Sequence, residues 1–227
     1  MPAKAKPLET LGPDHTALVF FDSLNGYLHP SDPKKKAFLR ERNILPSMVR
    51  LLKGARRAGL RVFYACGDHA ADGSDIVVRL TDTDMELRPW PQGPVKAAER
   101  KAIAPKIRHG SKDAQIAPEL KPRAGFDVVV PKQRWSSFFQ TQMEVALRSR
   151  GLDTVILAGG STDVGIASTV FAARDLDFGI VVVGDACYSA RGNNNQFFME
   201  RVFPRMGRVM TVSQTVDLML RGAGKKK

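Results

Sequence analysis

The chain has 227 residues, 43% hydrophobic and 26% charged, with a formal net charge of +12 and two cysteines. That length and composition fit one globular domain with a full core. The longest apolar runs, near 18–21 and 180–183, are far too short to span a bilayer, and Cys66 and Cys187 make neither a disulfide framework nor a spaced metal motif. The first residues are polar and basic, without an apolar secretory core, so a cytoplasmic protein is expected, with basic tails at 1–13 and 222–227 flanking a single domain at 14–221.

The elements follow in chain order. The apolar run 17–21, ending at Asp22, predicts a buried strand. Helical spacing of Leu39, Ile44, Met48, Leu51 and Leu52 predicts one helix over 36–58, stopped by Gly59. A second strand is expected at 61–66. The stretch 70–121, broken by Pro89, Pro91, Pro94, Pro105 and Pro118, reads as a lid or a subunit contact. Short strands are expected at 128–130, 154–157 and 180–183, with helices at 141–149 and 164–175 between them. A helix at 195–203 and a strand at 208–211 end the pattern. Strands alternating with helices predict βαβ units, a mostly parallel sheet and right-handed crossovers that put helices on both faces. In such a sheet ligands gather at the carboxyl ends of the strands, which selects Asp22, Cys66, Lys132 and the turn at 159–165.

The positive charge has a plain reading. Lys4, Lys6 and the three lysines at 225–227 lie in the tails, and Lys34, Lys35 and Lys36 sit in a proline-flanked loop. No nucleic-acid fold motif and no basic stretch interleaved with aromatics is present, so the charge points to a small anionic substrate rather than to nucleic acid or membrane.

Three segments carry chemistry. Asp22 stands in Phe-Phe-Asp-Ser-Leu-Asn-Gly-Tyr, where a capping aspartate is the plain alternative. Lys132 follows a strand in Val-Pro-Lys-Gln-Arg-Trp-Ser-Ser-Phe-Phe. The turn Gly159-Gly160-Ser161-Thr162-Asp163-Val164-Gly165 opens into a helix, where free N–H groups attract an anion or oxyanion.

Together these segments resemble the isochorismatase-like, or cysteine hydrolase, superfamily over about 16–212. Tyr64-Ala65-Cys66, His69, Asp72-Gly73-Ser74 and Gly184-Asp185-Ala186-Cys187 extend the match. The resemblance implies a three-layer, Rossmann-like α/β sandwich and common assembly as a homo-oligomer. It also implies an acid/base role for Asp22, a catalytic lysine in Lys132, a non-proline cis peptide between Gly160 and Ser161, and an oxyanion hole from the N–H groups of Ser161 and Gly165. At Gly165 the superfamily pattern places its nucleophilic cysteine, so the covalent thiolate route has no attacking atom here. Asn25, Tyr27, His69, Arg134, Trp135, Phe138, Ser161 and Thr162 become the candidate substrate-binding residues.

The Asp-x-His pair of metal-binding relatives is not matched, because Asp68 and His69 are adjacent, and His15, His29 and His109 show no ligand spacing. No metal or cofactor is therefore expected. Cys66 reads as a buried structural cysteine more readily than as a replacement nucleophile, and Cys187 matches a structural position. True isochorismatases also resemble this chain in having glycine at that position, and they cleave a vinyl ether by protonation from an aspartate. The segments around Asp72 and Arg134 look closer to amidohydrolase-type members. The expectation is a cysteine-independent hydrolase of a vinyl ether or C–N bond in a small anionic substrate. A catalytically inactive binding protein for a small ligand or protein partner is the alternative.

Overall fold

The computed structural model describes residues 10–75 and 107–224. Six strands form one sheet: β1 (Thr16–Phe21), β2 (Arg61–Gly67), β3 (Val128–Lys132), β4 (Thr154–Gly160), β5 (Gly179–Tyr188) and β6 (Arg208–Met210). Their spatial order is β3-β2-β1-β4-β5-β6, and every pairing is parallel. The chain winds outward from β1 in one direction and from β4 in the other. The switch point therefore falls between β1 and β4, where the loops diverge and leave a crevice.

The sheet is buried on both faces, as parallel sheets are. Side chains of β1 alternate between them: Leu18 and Phe20 join one core, Ala17, Val19 and Phe21 the other. On the first face lie helices Ile44–Arg57 and Val212–Ala223, contributing Met48, Leu51, Leu52, Val212 and Met219. On the second lie Met143–Arg148 and Ala167–Asp175, contributing Met143, Leu147, Val170 and Ala173. This is the three-layer α/β arrangement. Among the described residues no helix is long and apolar enough to cross a membrane.

Four elements depart most from the sequence reading. The helix expected over 36–58 is two helices, Pro33–Glu41 and Ile44–Arg57, separated where Asn43 takes a left-handed φ of 55°. Asn tolerates that conformation because its short polar side chain can bond locally. β5 runs on through Tyr188 instead of stopping at Val183, because Cys187 and Tyr188 pair with Gly159 and Gly160. The helix expected at 195–203 is a short α-turn, Asn194–Phe197, continued by a wider π-turn and a 3₁₀ turn. The helix Val212–Ala223 has no counterpart in the sequence reading. Thr211 and Gln214 cap it reciprocally: each side chain bonds the other residue's backbone N–H.

Of the stretch expected to form a lid or contact, 76–106 lies outside the described residues. Its later part runs past the exit of β1, where the N–H of Asn25 donates to Gln115 and the N–H of Ala117 donates to Ser23. Ile107 and Leu120 are buried there.

Candidate active site

The carboxyl ends of β1, β2 and β3 meet around one carboxylate. β2 and β3 pair in register with Gly67 opposite Lys132, and the N–H of Asp22 donates to the carbonyl of Ala65. Asp22, at a φ of 47°, turns its side chain across these ends. Its Oδ1 accepts the Gly67 N–H at 2.7 Å and its Oδ2 accepts Lys132 Nζ at 3.0 Å. Both side chains are nearly inaccessible, 11% exposed for Asp22 and 6% for Lys132. The ammonium also sits 4.1 Å from the centroid of the Phe21 ring, a cation–π contact. A buried charge pair persists when its geometry is good and further bonds satisfy the remaining groups.

Across the switch point, β4 ends in a turn whose glycines leave no room for a side chain. A Cβ on Gly159, whose φ is 130°, would come 2.1 Å from the carbonyl oxygen of Phe21. One on Gly160 would lie 2.5 Å from Cζ of Tyr188. The peptide between Gly160 and Ser161 is cis. A π-turn, Thr162–Ile166, then leads into Ala167–Asp175. Gly165 lies within it, and here the crowding comes from one ring: a Cβ would stand 2.1 Å from Cζ and 2.2 Å from Cε1 of Phe21. Phe21, itself buried, fills the space above Gly165 that any larger residue would need.

The crevice holds a cavity of about 300 Å³. Asp22, Lys132, Ser161 and Gly165 line it, as do Tyr27 and Trp135, both partly exposed at 42% and 50%. These six sequence candidates come together. Five do not line the cavity. The amide of Asn25 bonds the carbonyl of Lys112. His69 lies with Nδ1 3.3 Å from the carboxylate of Asp75. Arg134 donates to the carbonyls of Asp75 and Gln133. Phe138 packs on Phe178 with ring centroids 5.3 Å apart, and buried Thr162 donates to Asn195.

Gly160 and Val164, within the turn that the sequence singled out, also line it; sequence reasoning missed Phe21, Tyr188 and Arg191, which complete the described lining. Tyr188 and Arg191 lie at the carboxyl end of β5, so the strand-end rule finds them once β5 is given its full length. Burial, reinforced by the Asp22 charge, pushes the Tyr188 phenol well above its ordinary range, so it stays a neutral hydroxyl at the cavity wall. Two cations, Lys132 and Arg191, thus share the cavity with one carboxylate.

Neither cysteine is poised to react. Burial and the neighbouring Asp22 charge push the Cys66 thiol up to about 12, and burial pushes Cys187 up to about 12. A raised thiol ionises only as pH climbs past it. Cys66 in the native protein is therefore expected to alkylate with iodoacetamide at pH 8 about a hundredfold or more slowly than free cysteine. The rate should still be rising above pH 10, and labelling at the free-thiol rate would contradict the buried environment. Among the described residues no three His, Cys, Asp or Glu side chains converge on a point that could hold a metal ion.

Comparison with known proteins fixes the class. The isochorismatase domain model matches residues 16–214, and the chain belongs to the isochorismatase family. YecD of Escherichia coli O157:H7, an uncharacterized isochorismatase family protein, is 34% identical over 93 residues, covering 41% of this chain and 50% of its own. The chain thus spans about half the length of that relative, and 54% of YwoC from Bacillus subtilis. The ureidoacrylate amidohydrolase RutB of Rhizobium rhizogenes is 29% identical over 199 residues, covering 83% of this chain and 76% of its own. Among solved structures, an isochorismatase family protein from Burkholderia thailandensis superposes with a TM-score of 0.70 at 26% identity, covering 94% of this chain and 99% of that one.

Proposed function

We propose that this protein hydrolyses a C–N bond, in an amide or ureide of a small carboxylic acid, without a cysteine nucleophile. The observation that carries the reading is the Phe21 ring packed over Gly165 beside an intact Asp22–Lys132 pair. A site that had merely lost a nucleophile would leave its volume empty; here an aromatic ring occupies it, and the charged pair remains.

In this reading the substrate carboxylate faces Arg191, and the carbonyl oxygen faces the N–H groups of Ser161 and Gly165. Water between Asp22 and the carbonyl carbon gives a proton to Asp22 as it attacks. The two N–H groups stabilise the oxyanion that develops. Asp22 then returns the proton to the departing nitrogen, acting first as base and then as acid. Lys132 fixes the orientation of the carboxylate through its 3.0 Å bond. The positive balance of Lys132 and Arg191 suits an anion, and the RutB relatives support a C–N bond over a vinyl ether.

The whole sequence contains two cysteines, so a thiol-free protein needs only Cys66→Ser and Cys187→Ala. Wild type and this double variant are assayed on a panel of ureides, amides and vinyl ethers. Turnover of a C–N substrate by both, within about tenfold of each other, is the expected result. A folded thiol-free variant with no turnover on a substrate the wild type cleaves would place a cysteine in the mechanism. No turnover by either protein would favour a binding role.

A further inference from the structure

The ladder between β4 and β5 ends at Gly160 and Tyr188. Beyond that point the turn at 160–165 and the loop at 189–195 are joined through side chains. Asp163 is at the centre of the junction. Its Oδ1 accepts the hydroxyl of Ser161, its Oδ2 accepts Asn194 Nδ2 at 2.6 Å, and the hydroxyl of Ser189 also bonds it. The preceding residue repeats the connection, with Thr162 Oγ1 donating to Asn195 Oδ1 at 2.6 Å. Ser189, buried, in turn accepts the backbone N–H of Arg191 at 3.2 Å. The backbone of Arg191 is thus two hydrogen bonds from the Asp163 carboxylate.

We infer that Asp163 is a positioning residue: its carboxylate fastens the loop that carries Arg191 to the turn that presents the Ser161 and Gly165 N–H groups. The two cavity walls then keep one separation, which matters because small misplacements of binding groups are costly in rate. That last consequence rests on the reading of Arg191 and the turn given above; the latch itself does not. A carboxylate suits the position because it only accepts, and the groups facing it are two hydroxyls and an amide NH₂. Charge-assisted bonds of this kind are the stronger ones. Burial works against the charged form, yet the bonds from Ser161, Asn194 and Ser189 outweigh it and hold Asp163 below the usual carboxylate range.

Asp163→Ala and Asp163→Asn separate latch from bulk stability by amide hydrogen exchange. The informative amides are those of Asn194 and Phe197, bonded to the carbonyls of Arg191 and Asn193, with the Ser149 amide, bonded to Val145 at the exposed end of Met143–Arg148 and free to exchange by local fraying, as internal control. In Asp163→Ala, exchange at Asn194 and Phe197 is expected to quicken by about tenfold or more, with Ser149 unchanged. Asp163→Asn should stay within about threefold of wild type, since its oxygen accepts from Asn194 and its NH₂ donates to a serine hydroxyl free to reverse. Unchanged loop exchange in Asp163→Ala, or an equal rise at Ser149, would overturn the latch whether or not the protein proves to be a hydrolase. On any substrate cleaved, KM of Asp163→Ala is expected to rise about tenfold. KM is blind to the folded fraction, so an unchanged KM with a loosened loop would overturn the coupling to substrate.

Discussion

Asp22→Asn is expected to lower kcat/KM by about 10²–10⁴-fold, the usual contribution of a positioned acid/base group, and to cost about 3–5 kcal/mol of stability by leaving Lys132 buried without its counter-charge. The two effects have different origins in the same geometry. Both carboxylate oxygens receive donors, the Gly67 N–H on one and Lys132 Nζ on the other. An asparagine must turn its NH₂ toward one of them, so one donor always faces a donor. In either orientation the ammonium loses its counter-charge while keeping its contact with the Phe21 ring, and its side chain is 6% exposed, too little for water to compensate. The double variant Asp22→Asn, Lys132→Met separates the effects. It removes both charges, so stability measured by urea unfolding should return toward wild type, while turnover should not. Recovery of activity along with stability would show that Asp22 acts by holding the fold and not by moving a proton.

Much of this site was open to inspection before the fold. Asp22, Lys132 and the 159–165 turn each follow a run of apolar residues, and parallel strands deliver their ends to one edge, so three separated segments could be brought together on pattern alone. What the pattern lacked was lateral contact. Gly165 reads in sequence as a missing side chain, and only the position of the Phe21 ring turns it into a filled space. Tyr188 and Arg191 escaped because Gly184 and Asp185 interrupt the apolar run of β5, although pairing with β4 carries that strand on to Tyr188. Asn43 broke a helix whose apolar spacing was continuous, since periodicity records which face is buried and not the φ of a single residue. Arg134 and His69 sat at plausible positions but turned to Asp75, a choice set by local partners that residue type does not encode. The C-terminal helix was within reach: Thr211 and Gln214 have capping-box spacing, and Val212, Thr215 and Met219 recur at helical intervals.

Gly165→Cys is expected to place a thiol at the cavity without creating a working nucleophile, and to destabilise the protein by about 1–3 kcal/mol as overpacking does. The Cβ alone would overlap the Phe21 ring, at 2.1 Å from Cζ and 2.2 Å from Cε1, before the sulfur is counted. Phe21 cannot simply swing out. It is buried in the same core as Val19, Leu157 and Ile166, and its face carries the Lys132 ammonium. Displacing the ring therefore disturbs the group that orients Asp22, so turnover by the natural route should fall as well. Phe21→Val combined with Gly165→Cys relieves the overlap and leaves the thiol near Lys132, a cation that favours the thiolate. In the double variant the introduced thiol should alkylate at neutral pH at least about tenfold faster than Cys66, whose own thiol is pushed up to about 12. Mass spectrometry of the labelled peptides distinguishes the two sites. If Gly165→Cys alone proves as stable as wild type and carries a fully reactive thiol, the ring yields freely, and the packing of Phe21 over Gly165 no longer explains why this site works without a cysteine.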